Sequence, residues 1–468
     1  MKFQLKELAK IEEASIEVKD LTVFVGKNST NKSYMAHTVY MLNKVLSSIH
    51  NKKEKYATEA FGKYIKINKN SNFLKEINRL KTSDFWEEHP LLVDGKEYDT
   101  ISIRKVVFDF SGENIDIFIE SMLYFIVDNI VEIVNKSFNT EKSILKNIIL
   151  NYEIKNSKDI HLDKTIIIES NDRESDDLKA LHKIFGNILE ALFDEKAREK
   201  AFYFPASRTG FVLAFDEIVS GVLRDRFGGL PTTTKLTEPT IDFISDFADI
   251  KSNKFRDGDK SSFHYHNYAK FYLEKIFNFI ENRIVKGKII EDKNSQNYTQ
   301  FYMQTNNAEK LDLHLTSSST VELLPLVIFL KHFSTLKDKL LIIEEPEAHL
   351  HPKAQVEMAR LLVMLVNSGA KVLITTHSDY ILNELSNCIK LSSTSDEKRA
   401  EYLKAHNLPK ETVIDKERVS AYLFKDLGES TEVMELAIDE YGIANDNFDD
   451  ILDELLDRTE EINELIGL

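Results

Sequence analysis

Three short blocks of this sequence carry side chains suited to holding and cleaving a phosphoanhydride. The first, Gly26-Lys27-Asn28-Ser29-Thr30-Asn31-Lys32-Ser33, follows an apolar run that reads as a strand and precedes a helical pattern beginning near Lys32. In that context successive backbone N–H groups and a helix N-terminus surround an anion, a lysine neutralises terminal phosphates and a hydroxyl binds magnesium. Lys32 and Ser33 are the candidates for those two roles, with Tyr34 next on the helix. The usual second glycine is Asn31 here. Asparagine is the residue after glycine that best tolerates a positive φ, so the loop is expected to close.

The second block, Leu340-Leu-Ile-Ile-Glu344-Glu345-Pro-Glu, puts two acids at the end of an apolar strand. Ligands of parallel sheets bind at that edge. One carboxylate there can hold magnesium through water, and its neighbour can polarise an attacking water. The third block is His377, after the apolar run Val372 to Thr375 and 32 residues past Glu345, one strand-helix-strand step away. Its imidazole can sense a terminal phosphate at the same edge. Ahead of the acids, Leu315 to Glu322 opens a helix with Thr316, Ser317, Ser318 and Ser319, giving hydroxyls and free N–H groups at a helix start.

In this order and spacing the four blocks resemble the ABC-type ATPases of the RecF, SMC and OLD class, AAA-family ATPases of genome maintenance and anti-phage defence. Gly26 to Ser33 is similar to Walker A, Glu344 and Glu345 to Walker B with its catalytic glutamate, Thr316 to Val321 to the signature, and His377 to the switch histidine. Phe204-Pro-Ala-Ser-Arg208-Thr-Gly and Tyr441-Gly-Ile with Phe448 also resemble stretches of stand-alone members. The resemblance implies ATP and magnesium as cofactors, with Ser33 and Glu344 toward the metal and Glu345 and His377 in catalysis. It further implies a homodimer or higher oligomer, with ATP sandwiched between one Walker A and the partner's signature, where Ser318 faces the nucleotide. A separate effector, a nuclease or toxin as in Septu or PARIS systems, is implied as well. The chain departs from the class at Glu344, where Asp is commoner, at Ser319, where Gly is usual, and at Asn31; no glutamine lies between Gln4 and Gln296 to serve as the Q-loop residue. Those departures keep open a slow or non-hydrolysing nucleotide-bound scaffold. A RecF-like DNA-repair ATPase is the other alternative.

The elements that must position these residues are those of an α/β ATPase head, a P-loop NTPase split in sequence by a mainly helical insertion. The expected organisation is an N-terminal lobe over residues 1–110, a helical arm over 111–200, an irregular insertion over 201–300, a C-terminal lobe over 301–430 and an acidic amphipathic helix over 431–468. Ile16 to Val25 reads as a strand, Ile115 to Val134 and Leu178 to Phe193 as helices, and the isoleucine triplet of Thr165 to Glu169 as a strand. Thr320 to Phe333 is expected as a helix, then strand Leu340 to Ile343, helix Lys353 to Val366 stopped by Gly369, strand Val372 to Thr375 and a closing strand Val419 to Phe424. Alternating strands and helices imply a parallel sheet.

The 468 residues allow two or three structural units. Cys388 is the one cysteine, which excludes an internal disulfide framework and fits the cytoplasm. The start of the chain reads as a strand rather than a signal peptide. Asp116, Glu120, Asp128 and Glu132 interrupt the most apolar stretch, so no membrane span is expected. Of the net charge of −16, the segment Glu429 to Leu468 holds 14 acids against Arg458, or −13, while Lys44 to Lys81 carries ten basic residues against three acids. A nucleic-acid surface on that basic segment therefore stays open, with a solvated face as the blander reading. His264 and His266 near Asp257 and Asp259, and His349 with His351, lack metal-ligand spacing and read as surface residues.

Overall fold

The computed structural model describes residues 2–51, 91–93, 96–98, 105–109, 131, 133–139, 144–150, 165–169, 200–215, 236–255, 263–293, 298–305, 307–337 and 339–444. Two compact units emerge: Met1–Met41, Val134–Lys146 and Lys200–Leu468 form one, and Leu42–Ile133 with Asn147–Glu199 the other. The helices expected over 115–134 and 178–193, most of the basic segment 44–81 and, of the acidic helix expected over 431–468, residues 445–468 lie outside the described residues; the described part of that expected helix is strand instead, at Thr431–Glu435, Ile438–Asp439 and Gly442–Ile443.

β1 (Lys2–Leu8) and β2 (Ile11–Glu17) pair as an antiparallel hairpin, and β3 (Leu21–Gly26) leads through a loop into α1 (Lys32–Asn51). The single strand expected from Ile16 to Val25 is broken. The Lys19 N–H bonds the Thr22 hydroxyl at 3.0 Å and turns the chain between β2 and β3. In the second unit β4 (Leu91–Val93) and β5 (Lys96–Tyr98) form a hairpin, and β6 (Lys105–Asp109) pairs antiparallel with the isoleucine-rich strand at Thr165–Glu169, here β8. Between them in sequence, β7 (Leu145–Leu150) lies beside β1.

The remaining elements of the first unit are β9 (Lys200–Phe204), α2 (Arg208–Leu213), α3 (Glu238–Lys251), α4 (Phe263–Phe279), β10 (Gly287–Lys293), β11 (Thr299–Thr305), β12 (Lys310–Asp312), α5 (Ser318–His332), β13 (Lys339–Glu344), α6 (Pro352–Asn367), β14 (Lys371–Thr376), α7 (Asp379–Ser392), α8 (Asp396–Ala405), β15 (Val419–Asp426) and β16 (Thr431–Glu435). The nine-stranded sheet runs β7-β1-β2-β16-β15-β3-β14-β13-β9. From β15 to β9 every neighbouring pair is parallel. β3 and β13 are buried at every position, as strands covered on both faces must be, whereas β1 and β2 alternate between buried and exposed. Residues 201–300, irregular by sequence, supply the edge strand β9, the three helices α2, α3 and α4, and the strand β10. Phe204, Phe243 and Phe329 pack ring on ring, with Phe202, Phe255 and Phe333 around them, and join β9 and α3 to α5. α5 is buried from Thr320 to Leu330 despite Pro325 within it.

Register decides where chemistry can happen. Phe24 of β3 pairs with Thr375 of β14, and Thr375 pairs with Glu344 of β13, so the C-terminal ends of all three strands reach one edge. With β14 between them, Glu344 sits about 10 Å from β3, two strand spacings away.

Gly26 ends β3 at φ 153°, and a Cβ added there would stand 2.4 Å from the Phe424 carbonyl oxygen of β15. Gly26→Ala is therefore expected to lower unfolding free energy by about 1–3 kcal/mol, read from denaturant midpoints. On α1, His37 Nε2 lies 2.8 Å from Ser137 Oγ and its ring stacks on Phe138; burial pulls its pKa down to about 3. The unfolded imidazole titrates near 6.5, so the unfolded chain takes the proton first as pH falls. Stability from this group is full above about pH 6.5 and declines by about 1.4 kcal/mol per pH unit toward pH 3. Unfolding measured at pH 7 and pH 5 is expected to differ less in His37→Phe than in the parent chain.

Candidate functional site

The loop after β3 folds back on itself. Ser29 and Asn31 both adopt φ 65°, so Asn31 takes the left-handed conformation a second glycine would supply, and its Nδ2 donates to Thr431 Oγ1 of β16 at 3.2 Å. The Thr30 hydroxyl donates to the Lys27 carbonyl at 2.8 Å, and Met35 N–H bonds Asn31 O as α1 begins. Lys32 is buried, with Nζ donating to the carbonyls of Gly26 (2.8 Å) and Lys27 (2.6 Å) and reaching Thr30 Oγ1 at 3.4 Å. Burial lowers its pKa, while the charges of Glu345 and Glu347 work the other way. Lys27, Asn28, Ser29, Ser33 and Tyr34 are exposed along the loop and helix start.

At the end of β13, Glu344 is buried and its Oε2 accepts the Ala206 N–H at 3.0 Å. Its other oxygen, Oε1, is buried without a hydrogen bond. The Tyr203 phenol, pushed well above its usual pKa by burial and then by Glu344, packs beside the carboxylate. A bare carboxylate oxygen at this edge is a donor of the hard type that magnesium and its water shell take, so the residues present fit that ion. Glu345 turns away from the strand at φ 43°, its N–H bonded to Thr375 O at 2.9 Å. After Pro346, Glu347 is buried; its Oε1 accepts from Thr376 Oγ1 (2.7 Å) and His377 N–H (2.8 Å) and lies 3.3 Å from His377 Nδ1. Burial raises the Glu347 pKa, with the His377 N–H and the Thr376 hydroxyl pulling it back. His377 itself is exposed at the end of β14.

The hydroxyl cluster forms the start of α5. Ser317 caps the helix, accepting the Thr320 N–H at 3.3 Å, so the helix begins at Ser318, two residues before the expected Thr320. Ser317 and Ser318 are exposed; Ser319 Oγ donates to His349 O at 3.3 Å. Lower on the same helix, buried Glu322 pairs with the guanidinium of Arg208 and accepts the Thr209 hydroxyl. Arg208 Nη1 also donates to the Glu344 carbonyl (2.6 Å) and the Pro205 carbonyl (3.2 Å), Nη2 to the Glu345 carbonyl (3.2 Å) and Nε to the Glu322 carbonyl (3.4 Å). One side chain thus grips the peptide between the two acids, where Glu345 holds its unusual φ, and fastens it to the serine-capped helix.

The structure brings Lys32, Glu344, Glu345 and His377 to one edge and adds two residues that sequence reasoning did not assign, Glu347 and Arg208. Arg208 lay in a stretch already marked by resemblance; Glu347 stands two residues past Glu345. The other candidates read as structure: His351 caps α6 through Nδ1, His349 is exposed, and Cys388 is buried, which raises its thiol pKa. No cluster of three or more metal-ligating side chains occurs among the described residues, and none of their helices is long and apolar enough to cross a membrane.

The family described as AAA ATPase domain matches residues 1–382. Among solved structures, an Smc head bound to the C-terminal winged-helix domain of ScpA aligns at 10% identity over 94% of this chain and 98% of that one, TM-score 0.36. The SMC head domain from Thermotoga maritima aligns at 10% identity over 93% and 98%, TM-score 0.31. The Smc head with an extended coiled coil bound to the C-terminal domain of ScpA, from Pyrococcus furiosus, aligns at 10% identity over 99% and 98%, TM-score 0.34. No curated protein matches the chain.

The Arg208 contacts predict an asymmetry between breaking and replacing the pair. Arg208→Met strands a buried carboxylate and is expected to cost about 3–5 kcal/mol by chemical denaturation, whereas Arg208→Met with Glu322→Leu recovers only the share owed to that carboxylate, because the carbonyls of Glu344 and Glu345 still lose their donor.

Proposed function

The chain belongs to the AAA ATPase domain family, and on that premise we propose that it is a magnesium-dependent ATPase working as a dimeric switch. The observation that carries the reading is geometric: the Lys32 ammonium is buried and held by the carbonyls of Gly26 and Lys27, and the register of β3, β14 and β13 brings this loop, Glu344 and His377 to one sheet edge. A lysine wrapped in backbone carbonyls of its own loop is poised to exchange them for phosphate oxygens. Lys32 would take the terminal phosphates, with the N–H groups of residues 27–33 around them. Ser33 and Glu344 would hold magnesium, which when bound offsets the charge of the phosphates. Glu345, bent off its strand, would polarise the attacking water, and His377 would meet the terminal phosphate.

Ser317, Ser318 and Ser319 open a helix at the surface. In a head-to-head homodimer Ser318 would face the nucleotide bound by the partner, so that ATP closes the pair and hydrolysis opens it. Control of a separate nuclease or toxin in anti-phage defence rests on the likeness in motif order alone. A second reading, a nucleotide-bound scaffold that turns over slowly or not at all, is favoured by Asn31, by Ser319 and by the loop leaving β9. There, Pro205 to Ser207 meet Glu344 through a backbone N–H, without a glutamine side chain.

Steady-state hydrolysis and nucleotide binding by three purified chains separate the readings. Glu345→Gln is expected to bind ATP as the parent does and to lose about 10²-fold or more in turnover, and Lys32→Met to lose binding itself. Tight binding without turnover in the parent would favour the scaffold, and no ATP binding by the parent would exclude both.

A further inference from the structure

We propose that Glu347 is a positioning residue for His377, holding the imidazole by Nδ1 so that Nε2 is the nitrogen left to meet a phosphate oxygen. This rests on the reading of the edge as an ATP-hydrolysing site. Three groups of the β14 terminus converge on one oxygen of Glu347: the Thr376 hydroxyl, the His377 N–H and His377 Nδ1, at 2.7, 2.8 and 3.3 Å. The first two are hydrogen bonds that fix the backbone at which the sheet ends, and the third, an ion-pair distance, sets Nδ1 of the ring against the acid. Without it, an exposed histidine at a strand end would sample its rotamers freely.

The rest of the Glu347 environment argues against a purely stabilising role. The residue is 4% exposed, yet Oε2 has no hydrogen bond. A buried carboxylate with one bare oxygen costs stability, since burial without a full set of partners is unfavourable. A neutral side chain would pack there at lower cost. What the carboxylate supplies is a fixed acceptor between two loops. Glu347 sits on the same short loop as Glu345, with Pro346 locking the backbone between them, while His377 leaves the neighbouring strand. The contact therefore sets the residue read as activating water and the residue read as sensing phosphate in one geometry.

The test is a double-mutant cycle on the full chain with magnesium and ATP, using Glu347→Gln, His377→Ala and the double variant, with fold checked by thermal unfolding. Glu347→Gln is expected to bind ATP within about threefold of the parent while kcat falls by about 10- to 100-fold, the range that misplacing a catalytic group produces. Because Glu347 acts through His377, the double variant is expected to be no slower than His377→Ala. Losses that multiply, or an unchanged kcat in Glu347→Gln, overturn the proposal. If Glu347→Gln does not fold, Glu347→Asp keeps the charge but withdraws it from the ring; the same fall in kcat is expected, and full kcat overturns the proposal. The nitrogen resonance of His377 Nδ1, assigned by its absence in His377→Ala, is read in parallel and needs no turnover. It is expected to move in Glu347→Gln, and a resonance indifferent to that change overturns the positioning. A parent chain that binds ATP but never hydrolyses it instead overturns the ATPase reading, so the two failures are distinct.

Discussion

The Arg208 guanidinium joins parts of the chain that are more than a hundred residues apart in sequence. It ion-pairs with Glu322 on α5 and donates to the carbonyls of Glu344 and Glu345 at the end of β13. A planar fork with donors in three directions can do this; a lysine, with its compact ammonium, cannot hold two successive carbonyls and a carboxylate in one plane. The peptide so held is the one after which Glu345 takes φ 43°, a conformation that surrounding contacts must enforce in a residue with a Cβ. The serine-capped helix α5 and the acid-bearing end of β13 are thereby joined through one side chain. Movement of either is expected to be felt by the other.

Around that junction the sheet edge is rich in negative charge. Glu344, Glu345 and Glu347 stand within four residues of one another, with the buried Arg208 guanidinium on the carbonyls of the first two and Lys32 in the loop after β3. On the proposed reading, a polyphosphate entering such a place would bring further negative charge, and the bare oxygen of Glu344 would offer a divalent cation a ligand there. Burial raises the Glu347 pKa, and the His377 N–H and the Thr376 hydroxyl at the neighbouring strand's end draw it back.

What could be read in advance followed from backbone demands and from burial. Gly26, Lys32 and Ser33 stood out as candidates because a turn of the phosphate-binding type restricts residue types strongly, and Asn31 was legible in the left-handed position because few side chains tolerate its φ. Glu344 and His377 were legible because each ends an apolar run that can only be a buried strand. Glu347 and Arg208 were not assigned roles, since their partners are backbone carbonyls and a histidine thirty residues away, neither of which leaves a spacing rule. The segment 201–300 was obscure for another reason. Phe243, Phe247 and Ile250 do carry a helical spacing, but turn-rich and charged stretches flank it closely, and the aromatic cluster that orders it is assembled from β9, α3 and α5. Such a core is visible only once the sheet exists.

The central claim is that Lys32, Glu344, Glu345, Glu347 and His377 form one nucleotide site completed by a second copy of the chain. A crystal structure of the full-length Glu345→Gln chain grown with ATP and magnesium tests it most directly. The account predicts a triphosphate against residues 26–33, a cation between Ser33 and Glu344, His377 turned to the terminal phosphate with Nδ1 still on Glu347, and a partner's Ser318 over the nucleotide. A nucleotide bound elsewhere, or a triphosphate on this loop with His377 released from Glu347 and no second chain above it, would contradict the account.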